Sequence, residues 1–267
     1  MSNIHESAVV AKEASIGKEV QIGPYCVIGK NVTLEDDVEL KSHVVIEGNT
    51  KVGKRTKIYP FASIGTPPQD LKFKGEVSSL QIGEDNIIRE HVTMNPGTEG
   101  GGLITKIGNH CLFMVATHVA HDCIIGSNVI MANNATLAGH VTIDDWAILG
   151  GLSAVHQFVR IGPHAIIGGV TGVRGDVIPY GSVTGAHGKL AGLNLVGLKR
   201  RGFDRETIHD LRRAFRLLFA NEGTMVERLT DVTELYSGNE PVMDIVKFIE
   251  GSASRAICQP KNGNKNT

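Results

Sequence analysis

An aliphatic residue returns at every sixth position over most of this chain. The series Ile4, Val10, Ile16, Ile22, Ile28, Leu34, Leu40, Ile46, Val52, Ile58, Ile64 keeps one phase, which reappears at Ile82, Ile88 and Met94. After one slip it runs from Ile107 through Phe113, Val119, Ile125, Met131 and Leu137 to Val173. Six is not a helical period, and plain strand alternation would not single out every third inward position. The pattern predicts a solenoid of short parallel strands, one flat face per hexapeptide. Three faces make a coil of about 18 residues, and positions one coil apart stack at the ordinary strand spacing of about 4.8 Å. Glycine often follows the aliphatic residue, as at Gly17, Gly23, Gly29 and Gly53. Glycine and small polar residues are therefore expected at the corners, where backbone angles are awkward. The 32 glycines and 5% aromatic content suit a solenoid better than a globular α/β core.

The repeat breaks twice. A projecting loop is expected over residues 65–81, where Pro67-Pro68 and several charges cannot lie on a regular face. A second is expected over 95–106, and its run Gly100-Gly101-Gly102 reads as a mobile surface loop without the spacing of a phosphate-binding loop. The β-helix should occupy 1–190. Helical periodicity follows over 191–257, with Asp204 and Thr224 as N-caps, Glu240-Pro241 opening a third helix, and Gly223 and Gly251 as stops. The polar tail 258–267 is expected to be disordered.

With 267 residues and 41% hydrophobic content the chain can bury a large core. A net charge of −1 gives no global argument for nucleic acid. No apolar run reaches the length of a membrane span, and no apolar signal segment follows Met1. A soluble, unsecreted protein is expected, with Cys26, Cys111, Cys123 and Cys258 reduced.

Within the repeat, Thr117-His118-Val119-Ala120-His121-Asp122-Cys123 places two histidines and a carboxylate in one short stretch. Eighteen-residue stacking brings His118 and His121 onto one face with Gly139-His140 and with His156-Gln157. A single histidine in such a scaffold is more often structural. A stacked cluster beside Asp122 points to a site. One chemistry it could support is general-base removal of a proton from a substrate hydroxyl, with a carboxylate orienting the ring and backbone N–H groups near Gly139 steadying an oxyanion. The other is zinc held by three histidines, as in β-helix carbonic anhydrases; Asp122 and Gln157 are not the ligands such a site expects, so no metal is assigned. Asp70 and Lys72 gain interest if their loop folds onto a groove. Lys199-Arg200-Arg201 could meet a diphosphate or an acidic carrier.

These motifs together resemble the UDP-N-acetylglucosamine O-acyltransferases of lipid A biosynthesis. The resemblance rests on Gln69-Asp70-Leu71-Lys72, His118-Val119-Ala120-His121-Asp122-Cys123, Ala132-Asn133-Asn134-Ala135-Thr136-Leu137-Ala138-Gly139-His140, Ala154-Val155-His156-Gln157-Phe158 and Gly197-Leu198-Lys199-Arg200-Arg201-Gly202-Phe203, in order over nearly the whole chain. It implies a mainly β fold: a left-handed parallel β-helix of hexapeptide repeats with a C-terminal α-helical domain. It further implies a cytoplasmic homotrimer with sites between neighbouring β-helices. The implied reaction moves a 3-hydroxyacyl group from acyl carrier protein to the glucosamine 3-hydroxyl of UDP-N-acetylglucosamine, without a cofactor. His121 would be the general base, Asp122 its orienting partner and Gly139 the oxyanion donor. Asp70, Lys72, His118, His140, His156 and Gln157 would hold substrate, Asn194, Arg200 and Arg201 would meet nucleotide or carrier, and Gly169 would bear on acyl-chain length.

The chain departs from the family pattern at Met94-Asn95-Pro96-Gly97-Thr98 and at Val196. These departures leave open a 3-amino UDP-sugar as acceptor, with an amide product. The related N-acyltransferase acting later in that route would be expected to carry an additional N-terminal domain, whereas the repeat here begins by Ile4. A non-catalytic scaffold would not predict the His-Asp cluster.

Overall fold

The computed structural model describes residues 2–251 and 254–260. The chain winds into a three-sided prism of short strands. The first face begins Asn3–Ile4, Gln21–Ile22; the second Val9–Val10, Val27–Ile28; the third Ser15–Ile16, Thr33–Leu34. Pairing along each face is parallel, with Asn3 opposite Gln21, Val9 opposite Val27 and Ser15 opposite Thr33. The second residue of each strand points inward, so Ile22, Ile28, Leu34, Leu40 and their successors to Val173 form one continuous buried column. Ile4, the inward residue of the first strand, is 44% exposed.

The corners differ from expectation. They do adopt left-handed backbone angles, but the residues that do so are largely not glycine: Tyr25, His43, Phe61, His91, Trp146, His164 and others have φ near +60°. A left-handed L-residue costs roughly 1–2 kcal/mol, and stacking from coil to coil offsets it. The rings of Tyr25, His43, Phe61 and His91 form a ladder with centroids 5.0, 5.0 and 5.2 Å apart. The recurring glycine that follows the aliphatic residue serves close approach instead. A Cβ at Gly108 would lie 2.5 Å from the backbone of Gly126 on the next coil.

Both breaks in the repeat fall on the corner between the second and third faces. The ladder resumes across each: Ser63 pairs with Thr93, and Ser79–Ile82 pairs with both Asn49–Val52 and Ile104–Ile107. The extruded segments are therefore 65–78 and 95–103, shorter than the sequence suggests.

The parallel ladder ends at an antiparallel hairpin, Gly181–Thr184 with Lys189–Leu193. Among the described residues four α-helices follow: α1 (Leu195–Arg200), α2 (Arg205–Leu218), α3 (Met225–Tyr236) and α4 (Glu240–Glu250). Asp204 and Thr224 cap α2 and α3 as the sequence indicates, Thr224 in a capping box with Glu227. The stretch from Gly181 to Gly197 holds both strands of this hairpin and the start of α1. Arg160 fastens the helices to the prism. Its Nε donates to Asp176 Oδ2 at 2.8 Å, its Nη2 to the Phe248 carbonyl at 3.1 Å, and its guanidinium lies 4.4 Å from the Phe248 ring centroid. Tyr180 Oη donates to Asp244 Oδ2 at 2.7 Å. The expected disordered tail is ordered at its start: Cys258 N–H donates to the Asp176 carbonyl at 2.8 Å and Pro260 bridges Leu190, because these residues complete the edge of the last coil. Residues 261–267 lie outside the described part. Among the described residues no helix is long and apolar enough to cross a membrane.

Candidate active site

The corner between the second and third faces carries Asp122, His140 and Phe158 on successive coils, with φ of 60°, 61° and 65°. The left-handed turn swings these side chains out along one edge. His121, next to the turn, closes on the same edge, where its Nδ1 meets Asp122 Oδ2 at 2.7 Å. The His121 side chain is 16% exposed and the Asp122 carboxylate 1%, so a partly open ring rests on a buried acid. A Cβ at Gly139 would lie 2.5 Å from the ring's Cε1 and 2.7 Å from Nε2, so only glycine admits this packing. Among the described residues no backbone carbonyl accepts from the Gly139 N–H. His140 meets the His121 ring edge-on at 5.1 Å and stacks on Phe158 at 4.4 Å. His118 projects from the second face, and its Nδ1 lies 2.7 Å from Thr93 Oγ1.

Burial, and then the neighbouring His121, holds the His118 imidazole below its ordinary range. His140 is also lowered, chiefly by burial, against the opposing pull of Asp122. Both rings are thus biased towards the neutral form beside His121. The Cys123 thiol is fully buried and pushed up to about 12, which removes it as a nucleophile.

Comparison with known proteins bears on what this edge serves. Residues 176–258 match the family model described as UDP-N-acetylglucosamine O-acyltransferase, domain 2, and residues 13–48 and 104–139 match the bacterial transferase hexapeptide model. A Paracoccus denitrificans protein named acyl-(acyl-carrier-protein)–UDP-N-acetylglucosamine O-acyltransferase is 54% identical over 203 residues, 76% of this chain and 77% of that one. The chain belongs to the UDP-N-acetylglucosamine O-acyltransferase family. A Caulobacter vibrioides relative of the same name is also 54% identical, over 79% of this chain and 81% of its own. A crystal structure of a UDP-N-acetylglucosamine acyltransferase superposes with a TM-score of 0.93 at 43% identity, covering 97% of this chain and 100% of that one. An Acinetobacter baumannii structure gives 0.93 at 41%, covering 96% and 99%. The fold is accordingly that family's left-handed parallel β-helix with a C-terminal helical domain.

The residues that the family resemblance singles out fall into two groups. His118, His121, Asp122, Gly139, His140, His156 and Gln157 lie on or beside one edge, with His156 Nδ1 3.3 Å from the Gln157 carbonyl oxygen. Asp70 and Lys72 belong to the loop extruded from that same edge. Their charges act on His140, Asp70 raising and Lys72 lowering its proton affinity. The loop's base is pinned by buried Asn95, whose Nδ2 donates to the carbonyls of Thr66 and Pro67 at 3.0 and 3.3 Å. One departure from the family pattern thus has a structural task. The second group lies elsewhere. Gly169 adjoins Val170 on the corner between the first and second faces, and Arg201 reaches the corner between the third and first faces, where Nη2 donates to the Trp146 carbonyl at 2.8 Å. Asn194 is only 5% exposed, accepting from Gly197 N–H at 3.0 Å and donating to the His164 carbonyl at 2.9 Å. That geometry makes its side chain the cap of α1.

Ligand atoms of His121, Asp122 and His140 lie within 4.8 Å of one another, as a metal would require. The donor set does not fit one well. Asp122 already accepts from Thr98 N–H at 2.8 Å and Thr98 Oγ1 at 2.6 Å, besides facing His121 Nδ1. These contacts also correct the reading of 95–106 as a mobile loop. Its glycines allow it to fold down onto Asp122, and a Cβ at Gly101 would collide with that carboxylate. Thr98 and Thr93 were not visible as site residues in the sequence. Phe158, one coil beyond His140, was not singled out either.

Proposed function

We propose that the protein transfers a 3-hydroxyacyl group from acyl carrier protein to the glucosamine 3-hydroxyl of UDP-N-acetylglucosamine, with His121 as general base. The observation that carries this reading is the 2.7 Å contact between His121 Nδ1 and the buried Asp122 carboxylate. It fixes the tautomer with the proton on Nδ1 and leaves Nε2 with a free lone pair. Nε2 takes the proton from the acceptor hydroxyl as its oxygen attacks the thioester carbon. The tetrahedral oxyanion falls to the Gly139 N–H, which has no carbonyl partner among the described residues. Collapse expels the carrier's thiolate, which recovers the proton from Nε2. The neutral bias of His118 and His140 suits them to hydrogen-bond acceptor and donor without adding positive charge against His121.

The second face offers a place for the acyl chain. In register along it, the outward side chains shrink from His118 through Thr136 and Ala154 to Gly172. Ala186 at the hairpin tip crowds Gly172, so the trough is stopped there. Asp70, Lys72, His156 and Gln157 flank the reacting end. The relatives are named as O-acyltransferases, which favours the hydroxyl acceptor over an amine.

The same reading holds that three copies assemble in the cytoplasm, each site lying between two of them. What supports it is the separation of Arg200-Arg201 from the His121 edge within one chain: a neighbour could present its own basic corner to that edge.

The test is acyl transfer by purified protein, wild type beside His121→Ala, with 3-hydroxyacyl carrier proteins of several lengths and UDP-N-acetylglucosamine. A fall in kcat of about 10²–10⁴-fold in the variant is expected, the usual contribution of a positioned base. No transfer by a folded wild type sinks the assignment.

A further inference from the structure

The second extruded loop is built around one buried carboxylate. Thr98 contributes both its backbone N–H and its hydroxyl to Asp122, one to each oxygen, at 2.8 and 2.6 Å. Thr98 is 5% exposed. The loop closes on itself to present it: Gly101 N–H and Leu103 N–H donate to the Thr98 carbonyl at 3.1 and 2.9 Å. Gly101 is packed so closely that any side chain there would strike the Asp122 carboxyl carbon. From the other side, Asp122 N–H donates to Thr105 Oγ1 at 2.8 Å.

A carboxylate's last torsion is broad and does not by itself choose an orientation. Here orientation matters, because Oδ2 is the atom that faces His121 Nδ1. Turning the group would remove the acceptor that keeps the proton on Nδ1 and would release the ring. Two donors from a single residue, aimed at the two oxygens, stop that turn.

We infer that Thr98 is a positioning residue for the base: it locks Asp122 in the orientation that holds His121 in its working tautomer. The inference rests on the general-base reading given above. Among the described residues no hydrogen bond joins Thr98 to the His121 ring, and both meet Asp122, so Thr98 acts on the rate through that carboxylate.

The experiment compares wild type, Thr98→Val, Thr98→Ser, Asp122→Asn and the Thr98→Val/Asp122→Asn double variant. Each is assayed for acyl transfer and, ligand-free with 15N-labelled histidine, for the hydrogen-bonded Nδ1 proton of His121. Thr98→Val is expected to lower kcat by about tenfold or more, the loss of one hydrogen bond to a charged group, with KM for both substrates unchanged. Thr98→Ser should restore the rate. On the Asp122→Asn background the valine should cost nothing further. The Nδ1 proton signal should be present in wild type and Thr98→Ser and broadened away in Thr98→Val. Gly101→Ala, which displaces the same carboxylate, should repeat the kcat-only loss and keeps the test open if the valine variant fails to fold. An undiminished valine effect on the Asp122→Asn background, or a raised KM with kcat intact, overturns the inference. The spectrum needs no substrate. Absence of transfer by wild type with a valine-sensitive proton would therefore defeat the acyltransferase reading alone, and normal transfer with an insensitive proton would defeat this one alone.

Discussion

Gly139 has no side chain because His121 leaves no room for one. A methyl there would meet the imidazole 2.5 Å from Cε1 and displace it from Asp122. The glycine does not have a positive φ, so alanine brings no backbone strain, and the effect should fall on the ring. Gly139→Ala is expected to lose about 10²-fold in kcat, the cost of moving a reacting group by about an ångström, with its thermal midpoint close to wild type. Circular-dichroism melts beside initial rates would check it, and a full rate with a displaced ring would refute the role given to this approach. This cluster was legible in the sequence because eighteen-residue arithmetic alone aligns His121 with Gly139, and Asp122 with His140 and Phe158. Thr98 was not. It sits in a segment with no period, and nothing in the string Pro96-Gly97-Thr98-Glu99 says which carboxylate it will reach.

At the scale of elements, the faces were legible and the corners were misread. The inward aliphatic column follows from hydrophobic period. The corner residues obey a second rule, stacking between coils, which tolerates large rings at left-handed angles. At the corner between the third and first faces, Trp146, His164 and Tyr180 stack in order, and Phe203 meets His164 and Tyr180 edge-on. This ladder joins the prism to the turn before α2. His164 inside it is held down to about 4, first by burial and then by Arg201. An unfolded imidazole titrates near 6.5, so below that value the unfolded chain takes up a proton that the folded ring refuses. The stability this contributes is complete above about pH 6.5 and is lost as the pH falls towards about 4. His118 and His140, also lowered, add in the same direction. Denaturant midpoints should fall across that window, and His164→Phe should flatten the fall. The other joint is Arg160 with Asp176, whose side chain is fully buried. Asp176→Ala strands the guanidinium beside Phe248 and also leaves the Arg160 N–H without its 2.8 Å acceptor. A loss of about 3–5 kcal/mol is expected for a broken buried pair, read as a lowered urea midpoint. Helix α1 escaped the sequence reading because six residues are too few to show a period.

For the whole molecule, the residues of the proposed site are distributed over separate edges of the prism. The His121 edge carries the proposed base and both extruded loops. The Arg201 edge carries the basic group, with its guanidinium 5.4 Å from the Trp146 ring centroid. If a site forms between two copies, one copy supplies the first edge and its neighbour the second. Mixing two dead variants then separates this arrangement from one contained in a single chain. His121→Ala subunits keep a sound basic edge, and subunits with Arg200 and Arg201 both changed to Ala keep a sound base. Unfolded together at equal amounts and refolded as random closed trimers, about a quarter of the sites would pair a sound base with a sound neighbouring edge. Activity should return to about that fraction of wild type, from two preparations that are each inactive alone. Sites within one chain would recover nothing, because every chain in the mixture carries one of the two lesions. A double-dead control, with His121→Ala and the arginine changes on the same chain, mixed with either single preparation, should stay inactive in both arrangements. Recovery near a quarter would also fix the orientation of the assembly: the second–third corner of each copy must lie against the third–first corner of the next.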